Sequence, residues 1–326
     1  MRVNRAAFRN VPYLAFEALG DRVVNLMPLW DGREWHHWLP YQDGIVKMQM
    51  SGVIVGEYLA TQAEAPTDLS IPLVNFAWQR ASWPELCGLW RHLTDDIHNM
   101  AASVAKAEHF VAYRDAIGLG ASAFLQTELE YLLVLARSVF DLVQELIARV
   151  WAKRISFLDP VAEAARKRCP LPAEFSKIVL RNKRELRTAE EIAMRFPLSP
   201  ALAKAYASAG AHFSGMREVR DNIVHGGKAI DLIFMGERGP MISKTMGILE
   251  ALGVSAVRDE ENENLVSLWP LISHIVGGTL ASCNSIVEAL RHDVLFPPPL
   301  APGYSVFLRG FHTPSLSRLN DMYPAR

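Results

Sequence analysis

The stretch ASAFLQTELEYLLVLARSVFDLVQELIARVWAK, residues 121–153, decides the fold class. It contains no Pro and no Gly. Phe124, Leu125, Leu129, Leu132, Leu133, Val139, Phe140, Leu142, Val143, Leu146, Ile147, Val150 and Trp151 recur at three- and four-residue steps and cover much of a helix circumference. A helix that is apolar on so many sides must be packed by several neighbours, so this stretch predicts a long central helix. Its polar exception is Arg137, Asp141 and Glu145, spaced four apart. Two readings stay open for that stripe: a buried ion-pair ladder, or a face that extends a cleft toward another helix.

Working toward the N-terminus, Leu86, Leu89, Trp90, Leu93, Ile97, Met100 and Val104 mark one face of a second helix. It is expected to run to about Ala116, where Gly118 and Gly120 end it. The short glycine-containing link makes the two helices an antiparallel pair. Residues 1–82 differ in character, being rich in Trp, Pro and Gly, and read as an irregular or mixed N-terminal extension. Within them Gly44 to Glu57 alternates, with Val46, Met48 and Met50 before Ser51-Gly52 and Val53 and Val55 after, which predicts a hairpin. His36-His37 between Trp35 and Trp38 reads as an aromatic packing cluster, because adjacent residues point apart and cannot share a metal.

Toward the C-terminus, Pro160, Pro170 and Pro172 cut the chain into short pieces. These carry Arg166, Lys167, Arg168, Lys177, Arg181, Lys183, Arg184 and Arg187, either a solvated face or a phosphate-tracking surface. Ser199-Pro200 is a helix start, with Ser as N-cap and Pro at the first helical position. The helix it opens should reach His225. A β-hairpin is expected over about 229–246, turning at Gly236-Glu-Arg-Gly239. An acidic loop from Asp259 to Glu263 then leads to a last helix from Leu265 to about His292. Residues 296–326 read as a Pro-rich tail. The expected fold is therefore mainly α: an antiparallel helical bundle over 83–295 with a small β-hairpin insertion.

Thirty-four basic residues against 35 acidic give a net charge of -1, so any polyanion site must be a local patch. Cys87, Cys169 and Cys283 lie far apart without a C-x-x-C pair, which fits reduced thiols in a cytoplasmic protein. The basic N-terminus lacks the apolar run of a signal peptide. Leu265 to Val287 has no Asp, Glu, Lys or Arg, but His274, Asn284, Pro270 and a Gly-Gly pair make it a buried core helix rather than a membrane span. No Gly-rich phosphate loop and no G-x-S-x-G elbow is present. His92 and Asp96 are four apart but lack a third metal ligand.

The chemistry concentrates in Met216-Arg-Glu-Val-Arg-Asp-Asn-Ile-Val-His-Gly-Gly227. At 100° per residue, Arg217, Asp221 and His225 form one stripe, with Arg220 about 60° to its side. Met216, Val219 and Ile223 fall on another face and are expected to pack on the core. Asp221 can accept a hydrogen bond from His225 one turn later, and the helix C-terminus also favours the protonated ring. The Arg side chains offer planar forks suited to phosphate. A proton carrier beside a fixed cation is what ribose 2′-hydroxyl attack on a phosphodiester requires, without a metal or other cofactor.

Arg220-Asp221-Asn222-Ile223-Val224-His225 resembles the R-x4-6-H motif of the HEPN superfamily, helical proteins many of which are metal-independent endoribonucleases of toxin–antitoxin and phage-defence systems. The resemblance spans roughly Leu86 to His292, and its specific part is those six residues. It implies Arg220 and His225 as the catalytic pair and Asp221 in support; Arg217 and Asn222 are expected to contact the substrate. It further implies RNA as substrate, a homodimer that joins two motifs, and an antitoxin or regulatory protein as partner. The N-terminal 80 residues and the hairpin after the motif depart from a minimal domain of this kind. Arg91 and His98 fit the same loose spacing, but with Asp95 and Asp96 nearby they read as a helix salt-bridge cluster. The alternative function is a catalytically silent helical module that binds a nucleotide or a protein partner.

Overall fold

The computed structural model describes residues 3–153, 156–157, 164, 167–182, 185–226, 232–254 and 264–323, with only the backbone described for 153, 156–157 and 220–226. Four long helices form its centre. They are α2 (Cys87–Ala112), α3 (Gly120–Lys153), α6 (Pro200–Gly226) and α8 (Trp269–Leu290). α2 packs along α3, and α3, α6 and α8 pack on one another. Leu125, Leu129, Leu132, Leu133, Val139, Phe140, Val143, Leu146, Ile147 and Val150 of α3 are all buried, as its all-round apolar pattern predicts. Between α2 and α3 a single turn, Arg114–Ile117, ends at Gly118 with φ 66°, a left-handed conformation that glycine adopts without steric cost.

The expectation of a mainly helical bundle does not hold. The chain has a mixed α/β architecture, with a five-stranded sheet built from the N-terminal extension and the supposed tail. Its strands are β1 (Leu29–Trp30), β2 (Trp35–Tyr41), β3 (Gly44–Met50), β4 (Gly56–Ala60) and β8 (Ser305–Arg309). The order is β8-β4-β1-β2-β3; β1 and β4 are parallel and the other neighbours antiparallel. The period-two rule sorts the two faces. Leu29, Trp38, Leu59, Val306 and Leu308 join the main core, while Trp35, Tyr58, Ala60 and Phe307 form a second cluster on the other side.

Two expectations failed here for the same reason, that strand partners are invisible to local pattern. Gly44–Met50 is the second strand of a hairpin, not the first: it pairs back onto β2, with Tyr41 opposite Gly44 and Gln42 at φ 51° in the turn. Residues 296–323 are bound into the fold. The Gln79 side chain, at the end of α1 (Pro72–Arg80), donates to the carbonyls of Ala301 at 3.1 Å and Tyr304 at 2.9 Å and accepts from Ala301 N–H at 2.9 Å. β8 then aligns with β4, and α9 (Thr313–Met322) packs on α2 and α8.

The hairpin after α6 is β5 (Phe234–Gly236) and β6 (Gly239–Ser243), turning where expected, and β7 (Leu265–Ser267) adds a third strand. The last helix therefore starts at Trp269 rather than Leu265. Residues 229–231 of the expected hairpin, and the acidic loop Asp259 to Glu263, lie outside the described residues. Short helices α4 (Phe175–Val179), α5 (Ala189–Arg195) and α7 (Gly247–Leu252) pack around α6. Among the described helices α8 alone is long and apolar enough to cross a membrane, and most of it is buried in this core.

Candidate functional site

α6 presents the Arg–His segment, and its start is fixed as the sequence predicts. Ser199 Oγ accepts from Leu202 N–H at 3.2 Å and donates to the buried Asp293 carboxylate at 2.9 Å. The helix then runs antiparallel to α3. Tyr206 donates to Gln144 Oε1 at 2.8 Å, Phe213 meets Phe140 edge to face at 5.6 Å, and Met216 and Arg217 lie beside Leu133 and Arg137. Small residues allow the close approach: a Cβ at Gly215 would overlap the carbonyl oxygen of Ala251, at the end of α7.

The backbone stays helical through the whole motif, to Gly226. Gly227 and the expected glycine stop lie outside the described residues, as do the side chains of Arg220, Asp221, Asn222, Ile223 and His225. Their helical positions are fixed nevertheless. Met216 and Val219 are buried, as expected for the core face, whereas Glu218 is exposed and Arg217 half-buried. By the helical period, position 225 continues the side of Glu218, position 221 that of Arg217, and position 220 that of Met216. Positions 217, 221 and 225 thus share one side of α6, with position 220 on the flank toward α3.

Arg137 bears on both readings of the polar stripe on α3. It lines a narrow crevice with Leu133, Phe213, Met216 and Arg217, and so faces the motif helix. It also keeps an ion pair with Asp141, Nε to Oδ2 3.6 Å, and Asp141 accepts from Phe175 N–H at 3.2 Å. Glu145 pairs with Arg149 instead. Three of the described residues of the basic region have partners within the chain. Lys177 pairs with Glu174, Arg181 with Glu191, and Arg187 donates to the carbonyls of Lys177 and Ile178, both at 2.7 Å. Arg166, Lys183 and Arg184 lie outside the described residues.

The sequence reading missed a cavity of about 860 Å³ bounded by α6, α7, α8 and the chain after α9. Its wall carries His212, His274 and Tyr323, with ring centroids 5.0 Å apart for the two histidines and 5.7 Å for His274 and Tyr323. The Gly277-Gly278 pair, read as a mark of a core helix, makes the room: a Cβ at Gly278 would lie 2.5 Å from His212 Cε1, and one at Gly277 2.7 Å from Tyr323 Cβ. Burial and the neighbouring His274 hold His212 down at about 3, so the ring is neutral at physiological pH. The signal was available as His212, Gly277 and Gly278 at small-residue positions, but their meeting requires the tertiary fold.

His36 and His37 sit on β2, pointing to opposite faces. His36 Nε2 pairs with Asp31 Oδ2 at 2.7 Å, and Trp38 packs edge-on against Tyr13 at 5.2 Å. Cys283 is buried, Cys87 and Cys169 are partly exposed, and all three are free thiols. Among the described residues no three or more His, Cys, Asp or Glu come together as a metal-binding group. No protein-family model matches the chain, and no curated protein or solved structure matches it significantly.

Proposed function

We propose that the chain is a metal-independent endoribonuclease whose chemistry is carried by the end of α6. The observation that supports this reading most is that Arg217 and Arg137 line one crevice that leads, along the antiparallel α3 and α6, to an unbroken helical Arg220–His225 segment. Arg137 keeps its ion pair with Asp141, and a phosphodiester has the geometry to be held by guanidinium groups that line one crevice. His225 takes the proton of a ribose 2′-hydroxyl as the 2′-oxygen bonds to phosphorus. The bond to the 5′-oxygen breaks, that oxygen receives a proton, and a 2′,3′-cyclic phosphate remains. Arg220 stabilises the charge that builds on the phosphate oxygens, Asp221 orients the imidazole, and Arg217 and Asn222 hold the strand.

One α6 places positions 220 and 225 well apart around the helix, so the proposal includes a homodimer in which two motifs complete one cleft. It acts on RNA in the cytoplasm, in a toxin–antitoxin or phage-defence setting, under an antitoxin or regulatory protein. The test is cleavage of a labelled single-stranded RNA by wild type, His225→Ala and Arg220→Ala, with circular dichroism as the folding control. Cleavage should vanish in both variants and persist in chelator. Cleavage that survives His225→Ala, or stops with the chelator, defeats the mechanism.

A second reading, a catalytically silent binding module, draws on the 860 Å³ cavity. The charged residues on its wall are Glu250 and Asp321, both acidic. That charge favours a neutral or cationic ligand over the phosphates of a nucleotide.

A further inference from the structure

A smaller cavity, about 200 Å³, opens where the end of α1, the first turn of α2 and the segment Val23–Asn25 meet. Much of its wall is apolar, from Val24, Ala77, Trp78 and Leu86. Two of its lining residues carry polar atoms left without a partner: Ser82 Oγ and Trp90 Nε1, both buried atoms. Ser82 is only 8% exposed. An indole N–H can only donate, and a buried donor without an acceptor is destabilising, so this one marks a place where an acceptor fits.

The lining carries one charged side chain, while Glu85, just before α2, also acts on Cys87. Arg91 is the one charged residue of the lining, is exposed, and makes no ion pair among the described residues. The 26-residue α2 begins at Cys87 in the wall, directly after a 3-10 turn at Pro84–Leu86, and has no side-chain cap, so the positive end of its dipole lies near Arg91. Besides Asn25, whose amide can donate or accept, the unpartnered indole N–H, the Ser82 hydroxyl and the Arg91 guanidinium put three groups able to donate around an apolar chamber. At interior packing density a heavy atom with its hydrogens takes roughly 20 Å³, so the chamber holds about ten.

We propose that this cavity binds a small apolar monocarboxylate, with a ring or branched body of that size. The body lies against Trp78 and Leu86, and the carboxylate accepts from Trp90 Nε1–H and Ser82 O–H and pairs with Arg91. The site is independent of the α6 motif and makes no use of RNA. It also gives Arg91 a role that its spacing to His98 does not.

The test is calorimetric titration of the full chain with benzoate, benzyl alcohol and benzylamine, which share a body and differ in charge. Benzoate should bind saturably, the alcohol at least ~10-fold more weakly, and the amine not at all. Trp90→Phe, which keeps the ring body and removes the N–H, should weaken benzoate ~10-fold or more, and Arg91→Ala should bring benzoate and benzyl alcohol to equal affinity. Benzoate should also slow alkylation of the Cys87 thiol in wild type, a readout that does not depend on any variant folding. Absence of benzoate binding, benzylamine binding as well as benzoate, or affinity unchanged in both variants would overturn the assignment.

Discussion

His98 Nδ1 and His312 Nε2 lie 2.9 Å apart, one on α2 and the other at the start of α9, joining the long helix pair to the C-terminal segment. One ring nitrogen must donate and the other accept, so a proton on both rings breaks the bond. His312 is held below its ordinary value by burial and then by His98, and His212, across the core, is held at about 3 by burial and His274. Both groups bind protons more readily unfolded than folded. Their stabilisation is full above about pH 6.5 and is lost as pH falls from there toward the folded values, by up to ~1.4 kcal/mol per pH unit for each. Urea midpoints should therefore drop steadily between pH 7 and pH 5, and His312→Asn and His212→Asn should each flatten that slope. A wild-type midpoint that is constant over this range would contradict the assignment.

His98 also shows where sequence reasoning stops. Its neighbours Asp95 and Asp96 suggest a local salt-bridge cluster, yet its partners are His312 and Glu57, the latter at 3.7 Å, and both are remote in sequence. The helices were legible because their contacts are periodic and local: α2, α3, α6 and α8 start and end within a few residues of expectation. The sheet was not, because β4 pairs with a strand about 250 residues later and β1 is only two residues long. At the site, the buried face of Met216 and Val219 follows from spacing alone, whereas the meeting of Arg137 with Arg217 depends on the register between two helices.

That remote pairing has a chemical lock, and removing it should be costly. Arg309 on β8 donates from Nε to Asp68 Oδ1 at 2.9 Å, pairs also with Glu64, and lies 5.0 Å over the Trp35 ring and 5.2 Å over Tyr58. The Asp68 side chain is 1% exposed and also accepts from Tyr58 O–H at 2.6 Å. Arg309→Met leaves a buried carboxylate without its cation and should cost about 3 kcal/mol in urea denaturation. Adding Asp68→Asn should restore part of that loss. If the double variant is no more stable than Arg309→Met alone, the unpaired charge is not the cause.

Two glycines should respond in opposite directions to the same change. At Gly215 a methyl group meets the Ala251 carbonyl, backbone that cannot yield without moving α7, so Gly215→Ala should lose about 1–3 kcal/mol. At Gly88, in the first turn of α2, a Cβ has nothing within 4 Å, and Gly88→Ala should gain about 0.5 kcal/mol from helix propensity. Thermal midpoints of the two variants would decide it. A Gly215→Ala protein as stable as wild type would mean that α6 and α7 are less closely packed than the structure has them.

The crevice arginines carry a prediction that separates strand binding from bond cleavage. If Arg217 and Arg137 hold phosphates, each releases counterions on binding, and affinity for single-stranded RNA should fall with salt with a slope of about -0.7 per phosphate contacted. Arg217→Ala should then lower affinity across RNA sequences and make the slope shallower by about 0.7, while the cleavage rate at saturating RNA changes little. Arg137→Ala should do the same, with a further loss of stability because Asp141 gives up its ion pair at 3.6 Å while still accepting from Phe175 N–H. His225→Ala should do the reverse, leaving the salt slope intact and removing the cleavage step. Identical salt slopes in wild type, Arg217→Ala and Arg137→Ala would show that the strand does not pass along the crevice between α3 and α6, and the phosphate reading of that guanidinium pair would fall with it.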